Sequence, residues 1–175
     1  MNPAPLSTGQ PPDRRHAEDG MLFSLLAVDS PGVLQRVCTL LSRRGINIDS
    51  IAVGGSERRG FARITLQTAQ GVHASAGQIA YQLDKLIDVL DIAQLPSQDA
   101  IQRELALIRL EACEESISRV QELSACGCCE LVSVSPAALL LQTSGEPRRI
   151  DELLQKLTPH VRQVTRSGMI AALPE

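Results

Sequence analysis

The sequence predicts an α+β fold built from two successive βαββαβ units, on three observations. A length of 175 residues suits one ordinary domain or two small ones. Apolar residues at 43% against charged residues at 21% allow a packed core and exclude a chain disordered throughout. The hydrophobic pattern alternates between short β-type runs and helical stripes in the order strand, helix, strand, strand, helix, strand, and then repeats that order.

Residues 1–20 precede this pattern. Pro3, Pro5, Pro11 and Pro12 sit there with Ser7, Thr8 and Gly9. Asp13, Glu18 and Asp19 fit neither an apolar secretory leader nor an acid-poor transit peptide, so the stretch reads as a disordered tail on a cytoplasmic protein. Residues 21–28 (MLFSLLAV) form an apolar run suited to a buried strand and short for a helix. Asp29-Ser30-Pro31-Gly32 is a turn in which Asp29 or Ser30 is a candidate helix cap and Pro31 is preset for the first helical turn. Val33, Leu34, Val37, Cys38, Leu40 and Leu41 lie on one helical stripe. Arg43 and Arg44 suit the negative end of the helix dipole, and Gly45 suits a left-handed closing residue.

Residues 46–53 (INIDSIAV) are rich in β-branched side chains and predict a strand. Their apolar parity slips between Ile48 and Ile51, which predicts a bulge or a bend near Asp49 and Ser50. A polar, glycine-bounded loop follows over 54–60, and 61–68 alternate as a half-exposed strand. Ala76, Ile79, Ala80, Leu83, Leu86 and Ile87 share one face of a second helix, and 89–95 close the unit. Residues 21–95 therefore read as a ferredoxin-like unit, a four-stranded antiparallel sheet with two helices on one face.

Residues 96–100 (PSQDA) read as a linker, and 101–175 repeat the plan without repeating the sequence. Strands are predicted over 104–111, 129–135, 138–143 and 161–166. One helix is predicted over 114–124 with Ile117, Val120 and Leu123 inward, and another beyond the Gly145-Glu146-Pro147 turn with Ile150, Leu153, Leu154 and Leu157 inward. Units of this size sit near the lower limit for a self-sufficient core, so pairing with a second copy is expected.

Composition narrows the function. A net charge of −3 and only three aromatic residues (Phe23, Phe61, Tyr81) argue against a nucleic-acid partner. No stretch approaches the roughly 20 uninterrupted apolar residues that span a bilayer, so no membrane partner is expected. Cysteines at 38, 113, 126, 128 and 129 are an odd set that suits a reducing compartment. His16, His73 and His160 lack ligand spacing and read as solvated, and no catalytic residue is assigned.

Cys126-Gly127-Cys128-Cys129 is a candidate site for a soft metal such as Cu(I) or Zn²⁺, with Cys113 as the fourth ligand. Strand alternation would send Cys128 and Cys129 to opposite faces, which favours the plainer reading of small apolar residues entering a sheet. The Arg pairs at 14–15, 43–44, 58–59 and 148–149 read as helix-end and loop charges, with Arg58-Arg59 at a loop tip open to a partner protein.

The strongest signal is Asp29-Ser30-Pro31-Gly32-Val33-Leu34 ahead of Arg43-Arg44-Gly45-Ile46-Asn47-Ile48. It is read either as a capped helix between two strands or as a site for a free amino acid. In the second reading, N–H groups around Gly32 and Val33 receive the carboxylate, and Gly32 permits close approach. Asp29, the Asn47 amide or carbonyl oxygens receive the ammonium. Spacing alone leaves both readings open.

From 21 to 95 the chain resembles the ACT domain, a small-molecule-sensing module of amino-acid metabolism. The resemblance is carried by SLLAVDSPGVLQRVCTLLSRRGINIDSIAVG, by Ala62-Arg63-Ile64-Thr65-Leu66 and by Gln82-Leu83-Asp84-Lys85-Leu86-Ile87-Asp88-Val89. More specifically, the chain resembles the regulatory small subunits of acetohydroxyacid synthase, also called acetolactate synthase. Arg103-Glu104-Leu105, Val132-Ser133-Val134-Ser135-Pro136 and Arg166-Ser167-Gly168 extend that likeness through the second half. Two positions depart from the family pattern: Val28 stands where an acid is frequent, and Gly127-Cys128-Cys129 replaces an aromatic-plus-arginine entry to a strand.

The resemblance implies a subunit without catalysis of its own, feedback-regulated by valine, leucine or isoleucine. It implies a large catalytic partner that holds thiamine diphosphate, Mg²⁺ and FAD, with no cofactor in this chain. It also implies a homodimer through the ACT domains, whose effector lies between Asp29, Gly32 and Val33 of one subunit and Asn47 and Ile48 of its neighbour. An ACT-type sensor serving a different enzyme and a thiol metal-binding protein are the alternatives.

Overall fold

The computed structural model describes residues 20–174. Most of the expected tail, including His16 and the Arg14-Arg15 pair, lies outside the described residues. Gly20 is described and buried, with the carbonyl of Thr68 2.6 Å from where a Cβ would stand. The described residues form two compact units, one of 20–104 with 145–147 and 167–174, the other of 105–144 with 148–166. No helix among the described residues is long and apolar enough to cross a membrane.

The first unit runs β1 (Leu22–Val28), α1 (Val33–Ser42), β2 (Ile48–Gly55), β3 (Phe61–Thr68), α2 (Ala76–Asp84), β4 (Val89–Leu95), with sheet order β2-β3-β1-β4. All three pairings are antiparallel. Central β1 points Phe23, Leu25 and Ala27 toward one face, where they pack with Val37 and Leu41 of α1 and Ile79 and Leu83 of α2. Each fully buried large side chain of this set contributes roughly 1.5–3 kcal/mol. The opposite face of β1 is covered too, by Leu22 against Leu95 and Met169. Burial on both faces explains why β1 reads as a run of apolar residues rather than an alternation. The bulge or bend predicted near Asp49 and Ser50 is present as a register shift between Ile48 and Ser50.

Three local expectations change. Neither Asp29 nor Ser30 caps α1: Pro31 and Gly32 form a turn, Gly32 at φ 89 is the N-cap residue, and no side chain bonds to this end. Arg43 is the C-cap residue and Arg44 lies beyond it, so neither is in the last turn; Gly45 at φ 67 does take the left-handed closing conformation. Finally, α2 ends before Ile87, which is 94% exposed. The unforeseen device is at the start of α2, where Ser75 Oγ accepts the Gln78 N–H (3.2 Å) and Gln78 Oε1 accepts the Ser75 N–H (3.0 Å).

The chain continues with β5 (Ile101–Glu111), which runs into the second unit from Leu105, then α3 (Glu114–Ala125), β6 (Glu130–Val134), β7 (Ala138–Gly145), α4 (Pro147–Leu157) and β8 (Val161–Arg166), with sheet order β6-β7-β5-β8. The core of the second unit joins Ala106, Ile108 and Leu110 to Val120 and Leu123 and to the four predicted α4 residues, Ile150, Leu153, Leu154 and Leu157. Ile117 is 41% exposed, so the inward face of α3 is narrower than expected. The predicted α+β class with two ferredoxin-like units is thus the observed architecture. The sequence pattern missed β9 (Ile170–Ala172), three residues that pair antiparallel with Ile101–Arg103, and missed the start of β5 with it. Three residues carry too little periodicity to announce a strand.

Candidate functional site at the ends of the first helix

The turn before α1 is tied down by backbone bonds. The Asp29 N–H donates to the Gly60 carbonyl (2.9 Å), the Ser30 N–H to the Val28 carbonyl (3.0 Å) and the Val33 N–H to the Ser30 carbonyl (3.4 Å). Asp29 and Gly32 are exposed, while the Val33 side chain is buried in the core, so Val33 presents backbone rather than side chain here. With the Val33 N–H turned to Ser30, the uncapped helix start offers the N–H groups of Leu34 and Gln35 and the positive end of the dipole to an anion. Arg36, one turn along, adds a cation. Its Nη1 is 2.9 Å from the position a Cβ at Gly32 would take, and its Nε donates to Asp88 at 2.6 Å.

Sequence reading did not single out Arg36; its offset of four from Gly32 is the signal that finds it. An open groove of about 460 Å³ runs along α1 past Gly32, Gln35, Arg36, Thr39, Leu40 and Arg43. With the helix start at Gly32 and arginines along its length, the groove can receive an anionic group, while the exposed Asp29 lies in the turn before the helix and does not line it.

Asn47 and Ile48 lie past the other end of α1. Asn47 is exposed, and its carbonyl accepts the Ala69 N–H at 2.9 Å. Ile48 is half-buried against the core at the start of β2. The structure therefore groups Asp29, Gly32 and Val33 at one end of α1 and Asn47 with Ile48 at the other. A helix of 10 residues separates the two groups by about 15 Å, farther than one amino acid reaches. Within one chain they do not make one site.

Strand β2 extends to Gly55, so the loop is 56–60 rather than the expected 54–60; Arg63 of β3 donates to its Glu57 at 3.1 and 3.3 Å. A backbone hydrogen bond, then Arg63, holds the Glu57 carboxyl below its ordinary range. Arg58 stacks on Phe61 with 4.6 Å to the ring centre, and Arg59 is exposed.

The cysteines divide into three environments, with Cys38 and Cys113 half-buried. Cys126 and Cys128 are exposed with their Sγ atoms 3.1 Å apart, and Cys129 is buried in the second core. Either sulfur can donate in this contact; with the Cys128 thiol as donor, the bond holds the Cys126 pKa below its ordinary value and raises that of Cys128. Burial pushes Cys129 up. Cys113 caps the far end of α3, a helix of 12 residues and hence about 18 Å long. The four-thiol set is therefore not assembled, and among the described residues no group of three or more His, Cys, Asp or Glu is placed to hold a metal.

His160 is not the solvated residue expected. Its side chain is 13% exposed, with Nδ1 3.5 Å from Cys113 Sγ and Nε2 3.4 Å from Glu115 Oε2. His73 is exposed.

The family described as "AHAS small subunit-like ACT domain" matches residues 23–91, and that described as "Small subunit of acetolactate synthase" matches 103–173. The chain is 38% identical to the acetolactate synthase small subunit of Mycobacterium bovis, over 85% of this chain and 89% of that one. It is 32% identical to the Bacillus subtilis acetolactate synthase small subunit, over 86% and 88%. The crystal structure of the small subunit from Thermotoga maritima superposes with a TM-score of 0.80 at 28% identity, over 89% of this chain and 98% of that one.

Proposed function

Because this chain belongs to the acetolactate synthase small-subunit family, we propose that it is the non-catalytic regulatory partner of a large catalytic subunit. In this reading it raises that subunit's activity and makes it sensitive to a branched-chain amino acid, with valine the first candidate. Thiamine diphosphate, Mg²⁺ and FAD belong to the large subunit, and this chain contributes no ligand to them.

The observation that carries the effector part of the proposal is the separation of the two residue groups along α1. Asp29, Gly32 and the Val33 backbone lie at one end of α1 and Asn47 and Ile48 beyond the other in one chain; in this reading, side-by-side pairing of two ACT units brings one group from each copy together. In the complete site the effector carboxylate meets the uncapped N–H groups beside Arg36, and the Asn47 amide meets its polar end. Ile48 limits the size of its side chain. A ligand held by two copies favours one arrangement of the dimer over another. That differential affinity is what passes to the catalytic subunit.

The test is reconstitution. Acetolactate formation by the large subunit is measured alone and with this chain, while valine, leucine and isoleucine are titrated separately. The proposal expects no turnover from this chain alone, a rise in the mixture, and inhibition by at least one of the three. A mixture indistinguishable from the large subunit alone overturns it.

A further inference from the structure

Helix α3 ends at Cys126, and Gly127 at φ +71 turns the chain back so that the Cys128 thiol returns alongside it. Both thiols face solvent and their sulfurs are 3.1 Å apart. A disulfide bond needs the two sulfurs only about 1 Å closer. The turn that holds them is braced on both sides. The Cys128 N–H donates to the Leu123 carbonyl (2.9 Å), Thr143 Oγ1 donates to the Cys128 carbonyl (2.9 Å), and Ser124 Oγ donates to the Cys129 carbonyl (3.0 Å). The Lys156 ammonium acts on both thiols and the Arg149 guanidinium on Cys128, and cations favour a thiolate. Cys129, only one residue on, is buried in the core and takes no part.

We propose that Cys126 and Cys128 are a thiol–disulfide exchange site that accepts a small disulfide of the glutathione-disulfide class and closes into an intramolecular disulfide. The Cys126 thiolate attacks one sulfur of the oxidant, forming a mixed disulfide as the oxidant's S–S bond breaks and one small thiolate leaves with the electron pair. Cys128 then loses its proton to solvent and attacks the Cys126 sulfur, expelling the second small thiolate. Two protein thiols are oxidised by two electrons, and one small disulfide is reduced to two thiols. Either sulfur can donate in their 3.1 Å contact; Cys126 Sγ also lies 3.2 Å from the Leu123 carbonyl, and with the Cys128 thiol as donor Cys126 is the sulfur left to attack. This site is independent of the effector site and does not rest on the regulatory reading.

The test exposes the reduced full-length chain to glutathione disulfide and follows intact and peptide masses. Wild type is expected to lose two hydrogens within the segment holding both residues and to retain no glutathione there. Cys128→Ser is expected to trap one glutathione on Cys126, because nothing remains to expel it. Cys126→Ser is expected to react at Cys128 about tenfold more slowly than wild type closes, and Cys129→Ser to close as wild type does. Both key variants replace exposed thiols, so folding is not at stake. Failure of Cys128→Ser to trap glutathione on Cys126 overturns the proposal, as does reaction of Cys38 or Cys113 as fast as the pair.

Discussion

Replacing Gly32 separates the effector site from the fold more cleanly than any other change. Gly32 sits at φ +89, so any side chain there costs about 1–2 kcal/mol of backbone strain. The new Cβ would meet only the Arg36 guanidinium, 2.9 Å away, and that is the end of a flexible side chain that can swing aside. Gly32→Ala therefore measures the strain alone. Gly32→Asp adds a carboxylate where the effector's own carboxylate docks. Two unit charges 4 Å apart repel by about 4 kcal/mol at an effective dielectric of 20. If Arg36 offsets about half of that, roughly 2 kcal/mol remains, a loss of about thirtyfold in effector affinity. The assay is acetolactate formation by the reconstituted holoenzyme with each branched-chain amino acid titrated, alongside thermal melting of both variants. Melting should be lowered equally, while inhibition is weakened about thirtyfold more in Gly32→Asp than in Gly32→Ala, with activation retained. Equal inhibition of the two variants would refute the placement of the carboxylate at this helix end.

Asn47→Ala removes an exposed amide and should weaken inhibition by about 1 kcal/mol, roughly fivefold, without moving the melting temperature; unchanged inhibition removes Asn47 from the site. Leu83→Ala empties a fully buried position between α2 and the sheet and should cost about 2–5 kcal/mol, read as a lower urea midpoint. Gly168→Ala places a Cβ 2.8 Å from the Ile51 carbonyl at φ +81, a backbone clash that no rotamer relieves. It should loosen the neighbouring Met169–Ser50 bond and the β9 pairing, so amide exchange at Ile101–Arg103 should rise. Exchange as slow as in wild type would show that β9 does not depend on this glycine.

Most of the fold was legible because each element carries a period long enough to recognise. The four apolar positions of α4 name its buried face directly, and the parity slip at Asp49 located an irregularity that the pairing register shows, whereas β3, expected to be half-exposed, is buried continuously from Ile64 to Thr68. The helix start was misread for a physical reason. Asp29 and Ser30 have the chemistry of caps, but whether they act depends on how Pro31 and Gly32 turn, and that is set by backbone angles that composition does not encode. His160 was misread because its burial comes from Cys113 and Glu115, residues 47 and 45 positions away in the chain.

The sequence by itself determined the element order, the two inward faces and the family, all of which depend on local spacing or on matched motifs. Only the tertiary structure decided that Arg36 stands beside Gly32, that Cys126 meets Cys128 while Cys113 lies a helix away, and that the Gly32 and Asn47 groups sit at opposite ends of α1. Those facts depend on where a helix begins, where it ends and what packs on it. They are set by backbone turns and long-range burial, whose energies are shared among residues far apart in the chain.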